Sequence, residues 1–541
     1  MEKITLVVSR WLMGIRKSVR NNRKEAIWLG LILLIGAFFR LYRIGEYMTF
    51  LGDEGRDAII VRRLLVNFDP ILIGPRTSIG DMYLGPLYYY MMAPFLLLFN
   101  FSPVGPSVMV ALLGVVTIFF VWYVVRKWFY VKDTIFNVGA LIAAGLYAIS
   151  PVVITYSKSS WNPNIMPFFA LLSIYGIWKV WYEQKFGWLI VVGVSMAFVL
   201  QSHYLGLLLI PTIIVFWLFT LLVIRNKKKD IRNYISLSLF AFFLFTLLMS
   251  PLVIFDARHG WRNFTSINKF FTERQTTVSL KIWKGFPNTY PIFKDNFIVR
   301  IITGNNLKVG RYFSVILITS TFVYFLTNIT KFIRLTLGKK FKDEQEAKFL
   351  SGFFMTFIWL FIGILGLGIY KQHVYDHYFG FIFPAPFILI GAISEKIYKR
   401  YRNDVKIFLT AGLLLIVVSN LKNNPLLFEP NRQMTRAIEA AKVIKKEAGG
   451  EMFNLAVIAQ QNYEDGYQYF LEKERVNVVD IDPLKAEETT ADQLFVVCEL
   501  AKENCDPTHN PKTEVANFGW SKIAGEWETS GVTIYKLVHN K

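Results

Sequence analysis

The chain has 541 residues, of which 54% are hydrophobic and only 18% are charged, and its net charge is +21. Soluble proteins average about 25% charged residues, and disordered chains have low hydrophobicity. The composition therefore excludes a disordered chain, argues against a soluble nucleic-acid binder, and indicates a polytopic membrane protein with basic loops.

A membrane-spanning helix needs about 20 mostly apolar residues. Segments 27–42, 377–394 and 407–421 satisfy this pattern approximately, and 186–224 is long enough for two spans that turn at residues 201–204. Together with six stretches that contain no Asp, Glu, Lys, Arg or His, they predict eleven α-helical spans. The six stretches are 105–125, 134–157, 161–178, 233–255, 312–330 and 349–370.

Segment 83–101 is also long enough to cross, but the basic residues argue against it. If it does not cross, the five inner loops carry between two and six Lys and Arg residues each, whereas the short outer segments 158–160 and 371–376 carry one each. This bias is typical of cytoplasmic loops. We therefore predict an interfacial helix at 83–101, a cytoplasmic basic N-terminus (1–26), and a multi-pass protein of the plasma membrane.

The same topology places the hydrophilic tail, residues 422–541, outside the cytoplasm. Its pattern predicts a small α/β domain with helices at 431–448 and 463–474 and strands at 454–459, 476–482, 493–499, 519–527 and 532–538. Cys498 and Cys505 are the two cysteines of the chain, and an outer compartment permits disulfides. We predict that they pair, provided that the chain turns between them; two free thiols are the alternative.

Polar and ionisable side chains collect at the outer ends of the predicted spans. Such residues near a membrane span are functional candidates, and their one-sided distribution favours a reaction at the outer interface over a pathway across the bilayer. They are Asp53, Glu54, Arg56, Asp57, Asp81, Asn162, Asn164, Gln201, His203, Asp256, Arg258, His259, Arg262, Asp376 and His377.

The acidic pair Asp53-Glu54 is the most informative motif, because it follows the first span and opens a helical stretch in the outer loop 44–104. One interpretation is a general base with a partner carboxylate that orients the substrate or binds a cation. The alternative is purely structural. Asp53 would cap the helix, since acidic residues are favoured in a first helical turn.

The order of these motifs resembles that of the GT-C membrane glycosyltransferases, in particular the protein O-mannosyltransferase and aminoarabinose-transferase group. The resemblance covers residues 27–420. It rests on an ordered set: Arg40-Leu-Tyr, Asp53-Glu54, Gly85-Pro-Leu-Tyr-Tyr, Ser150-Pro with Tyr156-Ser, Ser202-His-Tyr, Phe255-Asp-Ala-Arg-His-Gly, and His377-Tyr with Pro384.

The resemblance implies a transmembrane catalytic domain at 27–421 that moves one sugar from a polyprenyl-phosphate donor to an acceptor at the outer face, with inversion. It assigns Asp53 as the base that deprotonates the acceptor and Glu54 as its neighbour, oriented toward phosphate, metal or acceptor. Membrane lipid is a further partner, whereas the identity of the acceptor and of the sugar is left open. No Gly-rich phosphate loop is expected, because the donor is lipid-bound.

The leaving phosphate develops charge, so fixed cations near it would stabilise the transition state. The cation that often precedes the Pro-Leu motif in the family is missing here, since Tyr83-Leu84-Gly85 occupies the position. Arg56 and the outer loop 256–311 could supply it instead, although a basic loop also suits anionic head groups. The candidates for binding donor phosphate or sugar are Arg56, His203, Tyr204, Arg258, His259, Arg262, Tyr88, His377 and Tyr378.

A divalent metal is left open as a cofactor. Glu54 and His203 are the residues that could take part, but the spacing does not supply a third ligand. Two other functions also stay open. A flippase for lipid-linked sugar would place polar residues along a path through the bilayer, and an inactive scaffold would rely on the tail domain alone.

Overall fold

The computed structural model describes residues 22–77, 82–130, 137–272, 281–371 and 373–540. Most of the basic N-terminus and Asp81 lie outside the described residues. The described chain forms a large helical part, followed by a small α/β domain that begins after the helix Asn403–Lys422.

Six helices in the described residues are long and apolar enough to cross a membrane, judged by length and composition. Several carry large apolar side chains on their outer surface; Leu239, for example, is 65% exposed and Phe242 is 66% exposed. Such exposure is costly in water and natural in lipid. The six are Val104–Phe129, Tyr204–Ile224, Lys228–Arg258, Leu307–Thr336, Glu344–Gly368 and Asn403–Lys422.

Other predicted spans are shorter or interrupted, so the six long helices alone do not account for the predicted eleven. The segment 134–157, for example, is broken at Ser150-Pro151. Ser150 is extended, as is common before proline, and its hydroxyl donates to the carbonyl of Ile301 at 2.6 Å. The remaining helices of this part are Arg23–Leu41, Ile44–Tyr47, Gly52–Asn67, Leu87–Leu98, Val138–Ile149, Pro151–Tyr156, Met166–Trp181, Trp188–Ser202, Arg262–Thr272, Phe286–Pro291, the π-helix Ile292–Ile302, and Pro384–Arg400.

Segment 83–101 contains the helix Leu87–Leu98, which has 12 residues. At 1.5 Å per residue it is about 18 Å long, too short to cross a bilayer core. Its start is fixed by Gln201, whose side-chain oxygen accepts the Leu87 N–H at 3.2 Å. Gly85 permits this approach, because a Cβ there would lie 2.1 Å from the same oxygen.

The C-terminal domain contains a four-stranded sheet of order β1-β2-β4-β3. The strands are β1 Asn454–Ile458, β2 Gln493–Cys498, β3 Ser521–Thr529 and β4 Val532–His539, and its main helices are Gln433–Glu447, Asp465–Lys473 and Thr513–Phe518. Strand β1 is parallel to β2, and the other pairs are antiparallel.

The strand predicted at 476–482 does not form. Val478 makes only an isolated bridge with Phe453, and the chain then turns away from the sheet at Asp482-Pro483. The turn is held by the Asp482 N–H, which donates to the Thr489 hydroxyl at 3.0 Å. A proline after so short a pairing cannot extend the ladder.

The structure joins Cys498 and Cys505 in a disulfide. A short helical turn, Lys502–Asn504, brings the chain back so that the two Cα atoms lie 6.3 Å apart. This distance is within the usual range for a bridge.

The C-terminal domain packs directly on the segment 44–104, which follows the helix Arg23–Leu41. Phe50 and Phe470 have ring centroids 5.5 Å apart and share one buried cluster with residues of both parts. The Tyr469 hydroxyl donates to the Phe101 carbonyl at 2.6 Å, and Arg63 pairs with Glu472 at 2.6 Å. This interface places the domain over the start of the helix Gly52–Asn67, here called the Asp53 helix.

Candidate active site

The two members of the acidic pair have different environments. Glu54 is 6% exposed, and its Oε2 accepts the N–H of Leu51 at 3.0 Å, which caps the Asp53 helix. Burial raises the pKa of Glu54 to about 7. The structural role expected for an acidic residue here therefore belongs to Glu54, and Glu54 does not join Asp53 in the cavity as the sequence interpretation assumed.

Asp53 lies on the other side of the same helical turn, and its side chain is 42% exposed. Its Oδ1 accepts from Arg56 Nη1 at 2.9 Å, while Arg56 Nη2 donates to the buried Asp57 at 2.8 Å. Tyr89 also donates to Asp57 at 2.8 Å. Arg56 thus bridges two carboxylates and holds its guanidinium beside Asp53.

Asp53 opens onto a cavity of about 450 Å³, here called the main cavity. Among the described residues that line it, Asp53 is the one carboxylate and the arginines are Arg56 and Arg76. Most of the others are aromatic or imidazole side chains. The lining is Asp53, Arg56, Pro75, Arg76, Thr77, Leu84, Tyr156, Trp161, Asn162, Pro163, His203, Tyr204, Tyr375, His377 and Tyr378.

The two histidines form the centre of a ring cluster in this cavity. The His203 and His377 centroids are 5.6 Å apart, Trp161 lies 4.5 Å from His377, and Tyr378 lies 4.9 Å from His203. His203 Nδ1 accepts the Leu205 N–H at 3.2 Å, which leaves Nε2 to carry the proton of a neutral ring. The cluster combines flat apolar faces with imidazole groups.

Arg76 is a cavity residue that the sequence reasoning missed. It lies on a short paired segment in which the Thr77 N–H donates to Met82 at 2.8 Å and the Leu84 N–H donates to Pro75 at 2.9 Å. Arg76 itself makes an antiparallel bridge with Tyr83. The Gly85-Pro86 motif follows this segment directly. Arg76 therefore lies beside Tyr83, in the stretch where the cation expected from the resemblance is missing.

Four of the predicted binding residues are not brought to the main cavity. Arg258, His259 and Arg262 are exposed at the junction of the helices Lys228–Arg258 and Arg262–Thr272. The buried Asp256 caps the second of these helices by accepting the N–H groups of residues 263 and 264 at 2.7 and 3.1 Å. Tyr88 is buried, and its hydroxyl lies 2.7 Å from that of Ser160. The sequence made all four residues candidates, but the structure places their side chains outside the main cavity.

A second cavity of about 160 Å³, here called the apolar groove, adjoins the main cavity and shares Leu84 and Tyr204 with it. It is formed by the paired segment, by the end of the helix Trp188–Ser202 and by the helix Lys228–Arg258. Its other lining residues are Met82, Tyr83, Gly85, Leu200, Leu207, Met249, Leu252, Asn263, Ile267 and Phe270.

Residues 84–253 match the family model of dolichyl-phosphate-mannose-protein mannosyltransferase. The structure of ArnT from Cupriavidus metallidurans bound to undecaprenyl phosphate aligns with 94% of this chain and 97% of its own, with a TM-score of 0.54 and 12% identity. Its apo state gives a TM-score of 0.53 over the same shares. The chain therefore has the same overall fold as ArnT.

The likeness to ArnT is one of fold, because only 12% of the aligned residues are identical. The arabinofuranosyltransferase AftD from Mycobacteria aligns with 96% of this chain and 40% of its own at a TM-score of 0.48 and 12% identity. A comparison with curated protein sequences gives no significant match. The match to the family model includes His203 and Tyr204, but it begins after Asp53 and ends before His377.

The described part of this chain contains no group of three or more His, Cys, Asp or Glu residues placed to hold a metal ion. Glu54 and His203, the two residues considered from sequence, line different cavities. The ionisable side chains that line the main cavity are one carboxylate, two guanidinium groups, two imidazoles and four tyrosine hydroxyls.

Proposed function

We propose that the protein is an inverting glycosyltransferase that moves a single sugar from a polyprenyl-phosphate donor to an acceptor hydroxyl at the outer face of the membrane. The observation that carries the proposal is the composition of the main cavity. One carboxylate and two arginines meet beside an apolar groove. The carboxylate can take the proton of the acceptor, and the arginines can stabilise the leaving phosphate.

Asp53 is the proposed general base. Its partly exposed carboxylate takes the proton of the acceptor hydroxyl as the acceptor oxygen bonds to the anomeric carbon. The bond between that carbon and the donor phosphate breaks in the same displacement, and its electron pair leaves with the phosphate. A single displacement of this kind inverts the anomeric centre. Glu54 takes no part, because it is buried and engaged with the Leu51 N–H.

Arg56 and Arg76 are the proposed cations for the leaving phosphate. Both line the main cavity, and a guanidinium suits phosphate oxygens because it can donate two parallel hydrogen bonds. A fixed cation near the developing charge contributes a few kcal/mol in a water-poor site. Arg76 thereby supplies the charge that the Tyr83-Leu84-Gly85 sequence lacks.

The apolar groove is the proposed site for the start of the polyprenyl chain. It shares Leu84 and Tyr204 with the main cavity, so the lipid of a donor whose phosphate lies near the arginines could extend along apolar side chains. The likeness to ArnT, which is bound to undecaprenyl phosphate, supports this class of donor. The aromatic faces of Trp161 and Tyr378 could stack on the transferred sugar.

The test uses the full chain, purified and reconstituted in liposomes with a panel of polyprenyl-phosphate sugars. Release of polyprenyl phosphate and transfer of sugar are measured, and NMR of the product gives its anomeric configuration. Asp53→Asn should lower kcat about 100-fold or more, because a general base contributes at least that factor. Glu54→Gln, which keeps an oxygen for the Leu51 N–H, should retain activity.

Equal activity of Asp53→Asn and wild type would contradict the assignment of the base. Retention of the anomeric configuration would contradict the single displacement. If neither protein consumes any donor but sealed vesicles show movement of the lipid-linked sugar across the bilayer, the flippase alternative replaces the enzyme.

A further inference from the structure

The C-terminal domain contacts the first turn of the Asp53 helix through residues 462–466. Asn462 Oδ1 accepts the Gly52 N–H at 2.8 Å, one of the N–H groups at the helix start that lack a partner within the helix. Asn462 Nδ2 in turn donates to Glu499 at 2.6 Å. Tyr467 also donates to Glu499 at 2.6 Å, so the contact is anchored within the domain.

Two glycines let the backbones approach this closely. A Cβ at Gly52 would lie 2.4 Å from the ring of Tyr463, and a Cβ at Gly55 would lie 2.4 Å from backbone atoms of Asp465. Both glycines are within the helix, so the absence of a side chain serves the contact rather than a turn. Residues 462–466 are therefore held against the Asp53 helix in one position.

This contact brings Tyr463 next to Asp53, the proposed base. The Tyr463 hydroxyl donates to Asp53 Oδ1, and Arg56 Nη1 donates to the same carboxylate oxygen at 2.9 Å. Arg56 also donates to the Tyr463 oxygen at 3.3 Å. Among the described residues, no hydrogen bond to Asp53 Oδ2 is formed. Two donors thus fix one carboxylate oxygen and leave the other available.

We propose that Tyr463 is a positioning residue for sugar transfer, an inference that rests on the proposed function. With Arg56 it fixes the rotation of the Asp53 carboxylate, so that Oδ2 is the atom that receives the acceptor proton. The C-terminal domain therefore completes the active site, and the hydroxyl that does so comes from a residue 410 positions away in the sequence.

The kinetic test compares Tyr463→Phe with Tyr469→Phe in the full chain. Tyr463→Phe keeps the ring against Gly52 and removes only the hydroxyl. It should lower kcat about tenfold, the equivalent of one hydrogen bond to a charged group, and leave the KM for donor within about twofold.

Tyr469→Phe is the matched control, since its hydroxyl crosses the same interface to the Phe101 carbonyl and does not reach Asp53. It should change neither kcat nor the KM for donor. A wild type that transfers sugar, with a Tyr463→Phe variant of equal kcat, would overturn the positioning role and leave the proposed function intact. A wild type that uses no donor would overturn the proposed function, and the positioning role with it.

A second measurement needs no activity. Fluorotyrosine at position 463 reports its surroundings by fluorine NMR, and the signal should shift when Asp53→Asn is introduced. It should not shift with Asp492→Asn, an exposed residue of the same domain. An unchanged signal in Asp53→Asn would show that the hydroxyl does not contact the carboxylate, and would overturn the proposal.

Discussion

At the scale of single residues, two adjacent acids have different roles because of helix geometry. Consecutive side chains on a helix point about 100° apart. Asp53 therefore opens to the main cavity, while Glu54 turns inward and caps the helix at Leu51. The arginines also differ in position. Arg56 and Arg76 line the main cavity, whereas Arg262 is exposed outside it, so the fold and not the charge decides which arginines can bind the phosphate.

Replacing Arg76 by Gln should reduce kcat/KM for the lipid-linked donor about 10- to 100-fold, because one cation near the developing phosphate charge is lost. The matched control is Arg262→Gln, which removes an equal charge from an exposed position at the start of the helix Arg262–Thr272. It should change kcat/KM less than about twofold. Steady-state kinetics in liposomes measures kcat/KM for both variants. A larger loss of kcat/KM in the Arg262 variant would show that Arg262, and not Arg76, binds the phosphate.

At the scale of elements, the Asp53 helix is held from both sides. Its first turn contacts the C-terminal domain, and its buried face carries Asp57, which binds Arg56 and Tyr89. The contact with the helix Asp465–Lys473 requires close backbone approach at Gly55. A helix so constrained keeps its start in one place, which a general base needs.

Gly55→Ala should therefore destabilise the protein by about 1–3 kcal/mol, because the added methyl group overpacks the interface. Activity should also fall, since Tyr463 is carried by the displaced segment. Gly412→Ala is the control, because a Cβ at that position has no neighbour within 4 Å. Thermal unfolding in detergent measures both variants, and equal midpoints for Gly55→Ala and wild type would contradict the tight contact.

At the scale of the whole molecule, an ionisable group lies at the junction of the two parts. Burial raises the pKa of Asp465 to about 7, aided by the nearby charge of Glu464, with Asp480 and Asp57 acting in the same direction and Arg56 against it. The folded state thus holds this proton more tightly than the unfolded chain, whose Asp pKa is about 3.9. The associated stability is fully present below about pH 4 and is lost as the pH rises toward 7.

Asp465→Asn should remove this contribution, so the fall in melting temperature between about pH 5 and pH 8 should be smaller than in wild type. Part of the fall should remain, because Glu54 has a raised pKa as well. Asp492→Asn, an exposed change in the same domain, should leave the wild-type slope unchanged. If Asp465→Asn showed that slope too, Asp465 would not be the group that titrates.

The amino-acid sequence by itself determined the features that depend on local composition. Apolar length indicated a helical membrane protein, and six of the described helices are long and apolar enough to cross a membrane. Runs of β-branched and aromatic residues predicted β1, β2, β3 and β4 closely. The turn chemistry at Asp482-Pro483 was overlooked, so the strand predicted at 476–482 was wrong. The motif order also placed Asp53, His203 and His377 among the candidates, and the structure brings all three to one cavity.

Only the tertiary structure decided which neighbours complete that cavity. Arg76 lies on a paired segment at the cavity, whereas Arg262 lies outside the cavity at the start of the helix capped by Asp256. Tyr463 forms a hydrogen bond with Asp53, from which it is separated by 410 positions in the sequence. The physical reason is that helix and strand periodicity act over a few residues. Contacts between distant segments depend instead on how whole elements pack, and here on two glycines that let one backbone rest on another.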